Sequence, residues 1–386
     1  MKTGKWLHAL WHAFGLASAE ENNGPKILSL QRKRHPWKDV FSTAGFWFVL
    51  FSVVLILKLF IYPRSFPHNS TFGFLAHALA FTTIRIKIVF TLAKRTLFER
   101  EFSTLFFLAL KKFDVILQRK PVENVGIARI IIAVITVFVL ATGLLVSHIR
   151  FGNESGYNYI FGFSTYFYIL FMDFMITIKY IVCVLQLKAR FKKLNEVLFE
   201  VAMPANHLAA IMGYGHHPHP YTRRNIHRIQ QAHLFLHEAA ELLDKEFGLI
   251  IFFDVALSIS GTIYVSAGIF TLIICDSEEE HFLFTWPMCV SLFWLLYHTG
   301  KLMVLVLSCS VTSHEAEVPC VILIRAAALR GWQSALLESF LEQVAFTPSL
   351  QFTAGGFLTV DRQLLVSALT ATATYLVILT QFNISA

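Results

Sequence analysis

Charge is scarce in this chain. Only 15% of its 386 residues are Asp, Glu, Lys or Arg, against about a quarter in soluble proteins. By contrast, 55% are hydrophobic and 38 are Phe. That balance excludes an ordinary soluble domain and implies a polytopic membrane protein. Cysteine is also scarce: Cys183, Cys275, Cys289, Cys309 and Cys320 are odd in number and scattered. They exclude a disulfide framework and form no metal motif. A single bridge between Cys275 and Cys289, both near the expected outer face, stays open as an alternative. Enzyme signatures are missing, with no phosphate-cradling glycine loop, no Ser/His/Asp order on a known scaffold and no metal-hydrolase helix. Neither an enzyme nor a cofactor is expected. There is no internal repeat, and the one biased stretch, Met212 to Tyr221, is rich in Gly, His and Pro and reads as a loop.

What the chain has instead is apolar runs. Seven are long enough to cross a bilayer: Val40 to Ile61, Phe72 to Ala93, Ile127 to Ser147, Tyr159 to Leu187, Phe247 to Cys275, Phe282 to Leu307 and Leu358 to Phe382. The connecting segments alternate in charge. Seven Lys/Arg precede run one, seven follow run two and eight follow run four. The segments after runs one and three hold only Arg64 and Arg150, and the segment after run five holds Asp276, Glu278, Glu279 and Glu280. Positive charge therefore puts the N-terminus inside and the C-terminus outside, and the net charge of +8 reflects topology, with no nucleic acid as partner. The sequons at Asn69, Asn153 and Asn383 all fall on the outer side, with Asn69 and Asn153 the expected glycosylation sites.

This orientation is opposite to that of a G-protein-coupled receptor. Neither an Asp-Arg-Tyr after run three nor an Asn-Pro-x-x-Tyr in run seven is present. At the other end, Lys2, Lys5 and Ala17-Ser18-Ala19 mimic a signal peptide, but His8 and His12 interrupt its apolar stretch and export would carry Arg32-Lys33-Arg34 outside. An amphipathic cytosolic segment over residues 1–39 fits better. The seven-helix region then spans 40–382, with cytosolic helix extensions over about 188–246 and 308–357, a last span over 358–382 and an outer tail over 383–386. A cytosolic helix is predicted from Trp332 to Phe346, where Leu336, Leu337, Phe340, Leu341 and Val344 recur near a 3.6 period ahead of Pro348. Gly355-Gly356 is the break before the last span.

The last span carries a stripe of small and polar residues, Ser367, Ala371, Thr374, Ile378 and Gln381, with Thr370 at its edge. Two explanations compete: close helix packing, and a face turned to water in a pore. Charges inside spans are costly. Lys58 and Lys301 are candidates for snorkelling, Asp254 reads as cytosolic, and Asp173 is open between a hydrated ligand cavity and an ion pair. Seven histidines cluster from His207 to His237, and His233 and His237 are four apart. We read them as solvated histidines between two helix extensions, with no metal site; the alternative is a His-rich transporter loop. Aromatic and hydroxyl residues of the outer ends, with Asp173, give an expected ligand pocket of Tyr166, Asp173, Tyr264 and Trp286.

The final span reads Thr374-Tyr375, five mostly apolar residues, then Gln381-Phe382, with four residues after it. No C-terminal tail is expected to serve a cytosolic partner. That ending resembles the insect gustatory receptors, as do Gly355-Gly356-Phe357 and Asp361-Arg362-Gln363-Leu364-Leu365 ahead of it. The motif is the specific part, and the seven-span plan is generic. The resemblance implies an all-α channel fold of the insect chemoreceptor superfamily, in which four subunits each give the last helix to a central cation pore. Ser367, Ala371, Thr374, Tyr375 and Ile378 would line it, and Gln381 and Phe382 would form the constriction. From the residues alone, Gln381-Phe382 reads first as an interfacial anchor and only second as a gate. The implied function is a plasma-membrane, tastant-gated, non-selective cation channel of chemosensory neurons, a homo- or heterotetramer with other gustatory receptors. The alternatives are an odorant-type channel subunit needing a partner chain and a His-rich-loop cation transporter.

Overall fold

The structure is a computed structural model that describes residues 83–94, 101–117, 156–202, 220–275, 286–330 and 335–385. Runs one and three, Lys58, Asn69, Asn153 and His207 to His219 lie outside the described residues. We label the described elements α1 (83–94), α2 (Glu101–Ile116), α3 (Gly156–Ala202), α4 (Pro220–Cys275), α5 (Trp286–Arg330), α6 (Ala335–Phe346), β1 (Thr353–Ala354), β2 (Leu358–Thr359) and α7 (Arg362–Ser385).

Three of these helices are far longer than a bilayer requires. Helices α3, α4 and α5 have 47, 56 and 45 residues, or about 70, 84 and 68 Å at a 1.5 Å rise, and each joins an apolar span to a polar, proline-poor extension without a break. Two described stretches, Asn225–Phe270 of α4 and Ser291–Ala328 of α5, are long and apolar enough to cross a membrane. Helices α3, α4 and α5 pack on one another, α2 lies on α4, and α6 closes against α4 and α5. The core between them is aliphatic and aromatic, with Phe106, Phe113, Phe191, Phe340 and Phe352 fully enclosed.

Helix α5 runs through Pro319. Proline has no N–H to give to the carbonyl four residues earlier, which here belongs to Glu315. Asn195 of α3 fills the gap, its Nδ2 donating to the Glu315 carbonyl at 2.9 Å and to Glu315 Oε2 at 3.2 Å. The buried polar group that proline frees is thus satisfied by a neighbouring helix. Farther out, Arg190 forks onto Asp114 of α2, with Nε to Oδ1 at 3.2 Å and the terminal nitrogen to Oδ2 at 3.0 Å.

Helix α6 matches the helix predicted from Trp332 to Phe346 over its described part, 335–346, with Leu337 and Phe340 buried and Leu336, Leu341 and Val344 packed against the core. It stops at Phe346 ahead of Pro348. The last helix, expected from Leu358, starts instead at Arg362, because Thr353↔Thr359 and Ala354↔Leu358 pair as an antiparallel hairpin. Gly355 and Gly356 turn it at φ of 66° and 77°, a region that glycine enters without steric cost. Asp244 of α4 holds the hairpin, accepting from Thr353 N at 2.6 Å and from Thr353 Oγ1 at 2.8 Å. Gly248, one turn on, lets the two backbones meet: a Cβ there would stand 3.3 Å from Gly355 N. Asp361 then caps α7, its Oδ1 accepting from Leu364 N at 3.1 Å.

Removing the Asn195 side chain should cost about 1–3 kcal/mol, because it orphans the Glu315 carbonyl. In a double-mutant cycle, Pro319→Ala should make Asn195→Ala markedly cheaper by restoring the helical N–H, and thermal unfolding of the four detergent-purified proteins measures the coupling.

Candidate functional site

Four charges meet in the interior, one from each of four helices. Lys87 of α1, Asp173 of α3, Asp254 of α4 and Lys301 of α5 alternate in sign around a closed ring. Lys87 Nζ lies 2.7 Å from Asp173 Oδ1 and 2.5 Å from Asp254 Oδ1. Lys301 Nζ lies 2.6 Å from Asp173 Oδ2 and 2.6 Å from Asp254 Oδ1. Thr177, one turn from Asp173, donates to Asp254 Oδ2 at 2.7 Å and accepts from Lys87 Nζ at 3.2 Å. Lys87, Asp173 and Asp254 are 0% exposed and Lys301 8%. The ring is electrically neutral, and all four carboxylate oxygens are taken. That is the condition under which buried charges persist in an apolar interior.

Three expectations are corrected here. Lys301 does not snorkel, because two carboxylates hold it inside. Asp254 is not a solvent-facing charge, since its burial is complete. Asp173 does not line an open ligand pocket, for both its oxygens are bound to lysines. Lys301 was visible in the sequence as a span charge, but the lysines and their partners are 47 to 167 residues apart, beyond the reach of any local pattern.

Beside the ring, α5 presents Tyr297 and His298 among aromatic neighbours. Phe174 lies 6.5 Å and Trp294 5.5 Å from the Tyr297 ring. The Tyr297 hydroxyl and His298 Nδ1 are buried without a hydrogen-bond partner. Gly261 of α4 makes the space, because a Cβ there would stand 2.6 Å from the His298 ring. Tyr264 is half-buried on the same helix. Tyr166 lies in α3 and Trp286 opens α5.

Helix α7 is held along one stripe. Leu364, Ala368 and Thr372 are buried at four-residue spacing, and the helix packs on α4 and α5. On its other side Ser367, Thr370, Ala371, Thr374 and Ile378 are exposed and, with Gln363, Val366 and half-buried Tyr375, line an open groove. Gln381 is exposed, and Phe382 lies in the final turns of the helix. The threonine hydroxyls are satisfied within the helix, Thr374 Oγ1 donating to Thr370 O at 2.9 Å, so the stripe presents modest polarity without unmet donors.

In the α4 extension, His233 and His237 are not solvated as expected but are enclosed between α3 and α6, with 1% and 8% exposure. Burial holds both imidazoles far below their ordinary 6.5, His233 at about 3 with a further contribution from His237, and His237 at about 4. Cys289 is a free thiol, so the Cys275–Cys289 bridge is not formed.

The fold is thus a bundle of over-long, largely apolar helices with a hairpin before a final helix and a neutral ion ring across four helices. A profile of the 7tm chemosensory receptor family matches residues 6–386, and the chain belongs to that family. The gustatory and pheromone receptor 32a of Drosophila melanogaster is 37% identical over 90 residues, 23% of this chain and 19% of that protein. The chain thus matches about a fifth of that relative's length. Among solved structures, the insect olfactory receptor OR5 of Machilis hrabei has the same fold. The TM-score is 0.60 at 10% identity, covering 99% of both chains. In its complex with eugenol the TM-score is 0.59 at 12% identity, covering 99% of this chain and 97% of that one.

Asp254→Ala leaves two lysines facing one carboxylate in a dry interior and should lower stability by roughly 3–5 kcal/mol. Asp254→Leu combined with Lys301→Met restores neutrality and should recover most of the loss, read as monodisperse protein surviving a temperature ramp. A pH effect follows from the histidines. The unfolded chain takes up protons near pH 6.5 that the fold refuses until about 3–4, so their contribution is intact above 6.5 and drains as pH falls toward 4. The difference in Tm between wild type and His233→Leu/His237→Leu should change across that window.

Proposed function

We propose that this chemosensory receptor is a gustatory-type, tastant-gated, non-selective cation channel in which α7 of each subunit lines a pore shared with other copies of this chain or related chains. The observation that carries the proposal is the division of α7 into one anchored stripe and one open hydroxyl-bearing face. A helix immersed only in lipid has no use for Ser367, Thr370 and Thr374 in line, whereas a water-filled pore does. Val366, Leu369 and Val377, all more than half exposed in the single chain, supply apolar surface for neighbouring copies. Gln381 and Phe382 then stand at the outer constriction, where a phenyl ring closes the path by dewetting and an amide partly replaces an ion's hydration.

The similarity of a 90-residue stretch to a gustatory and pheromone receptor supports taste ligands. The aromatic wall of Trp294, Tyr297 and His298, with the His298 ring filling the space that Gly261 leaves, joins Tyr166, Tyr264 and Trp286 as the proposed ligand region, where His298 Nδ1 offers a hydrogen bond to a small organic molecule. Agonist binding there shifts a closed/open equilibrium by its greater affinity for the open state. The plasma membrane, with N-terminus inside, is the expected location, and Asn69 and Asn153 are the expected glycosylation sites.

Cells expressing only this chain should pass cation current in excised patches when sugars or bitter compounds are applied. Phe382→Ala should raise agonist-free leak several-fold while the order of agonist potencies stays the same. Equal leak in variant and wild type, at equal surface density, would remove Phe382 from the gate.

A further inference from the structure

His233 and His237 stand four residues apart on one face of α4, their rings 4.4 Å apart and inclined at 42°. The walls are aromatic: Phe191 of α3 meets His237 edge-on at 5.6 Å, and Phe340 of α6 meets His233 at 5.9 Å. In this dry setting His233 Nδ1, His233 Nε2 and His237 Nε2 have no hydrogen-bond partner. Each such group destabilises the fold relative to an apolar replacement, so three together are an expensive way to fill a core. Two more orphans lie a turn away. Asn195 Oδ1, one turn beyond Phe191, is left over when Nδ2 serves Glu315, and Gln343 Nε2 lies one turn beyond Phe340.

We propose that His233 and His237 form a binding site for a divalent transition-metal cation at the junction of α3, α4 and α6. Two imidazoles four apart on a helix present their nitrogens to one point, the spacing by which helical histidine pairs hold zinc. Both rings are neutral at pH 7, which leaves lone pairs free for a metal. Nitrogen donors with at most an amide oxygen and water suit Zn2+, Ni2+ or Cu2+ and not Ca2+ or Mg2+, which require oxygen shells. Among the described residues no third His, Cys, Asp or Glu completes the set. Two imidazoles with water to complete the shell make the site one of moderate affinity. The site does not depend on the channel reading, although α6 leads through the hairpin to α7, so occupancy would stiffen the base of that helix.

The test is zinc titration of the full-length protein in detergent, with Tm and bound metal after dialysis as readouts. The His216/His217/His219→Ser variant serves as background, because those residues offer a competing loop site. At a hundredfold excess of Zn2+ over its Kd, the background protein should gain roughly 5 °C in Tm, reversed by chelator, whereas Mg2+ should give none. His237→Leu and, independently, His233→Leu should abolish the gain while matching or exceeding the background protein's Tm in chelator. A zinc shift that persists in both leucine variants, or that disappears in the loop background alone, overturns the assignment, as does the absence of any shift in wild type.

Discussion

The neutral ring of Lys87, Asp173, Lys301 and Asp254 is the constraint on which the packing of the described helices turns. A lone charge in an apolar interior costs several kcal/mol, and a ring of alternating sign offsets that cost only when all four members are in place. The members come from α1, α3, α4 and α5, so these helices cannot slide or rotate independently without opening a short ion pair. Apolar side chains alone would tolerate several registers, since lipid tails compete equally for them. The ring selects one. Thr177 tightens the selection by occupying the last carboxylate oxygen and the last proton of Lys87.

Away from the ring, each exception to regular structure is matched by a specific partner. Pro319 would leave a bare carbonyl in α5, and Asn195 meets it. The hairpin before α7 would be a loose connector, and Asp244 pins both Thr353 donors while Gly248 lets the backbones approach. Asp361 then starts the helix. Through Asp244, the Thr353 backbone and Asp361, the position of α7 is set from α4, the helix that also supplies Asp254 to the ring and His233/His237 to the lower core. A displacement of α4 is therefore transmitted to α7 by a short hydrogen-bonded connection.

The sequence showed what depends on local pattern and hid what depends on distant pairing. The periodicity of Leu336, Leu337, Phe340, Leu341 and Val344 located α6, and Gly355-Gly356 marked the turn, because both obey near-neighbour rules. The uninterrupted extensions of α3 and α4 were legible from the absence of proline. The hairpin was not, as two-residue strands leave no periodic trace, and the start of the last helix moved by four residues. Asp254 and Lys301 were misplaced because each was judged singly. A charge in a span reads as peripheral until its counter-charge is known, and the counter-charges lie on helices more than 40 residues away. His233 and His237 misled for a related reason, sitting in a histidine-rich neighbourhood whose composition implies solvent while their own positions, i and i+4 and adjoining buried Ala232 and Leu236, belong to the buried face.

Helix α7 differs from the others in how little of it is fixed. Its buried stripe is narrow and built of small or slender groups, Leu364, Ala368 and Thr372, none of which interlocks as the phenylalanines of the lower core do. No ion pair among the described residues ties its span to α4 or α5. The firm attachments are at its base, in the hairpin and the Asp361 cap. A helix anchored at one end and held lightly along its length can tilt about that end at a small cost in buried area. In the proposed channel a gate on α7 would need that compliance, and the ring in α1, α3, α4 and α5 would be the fixed frame for such a tilt.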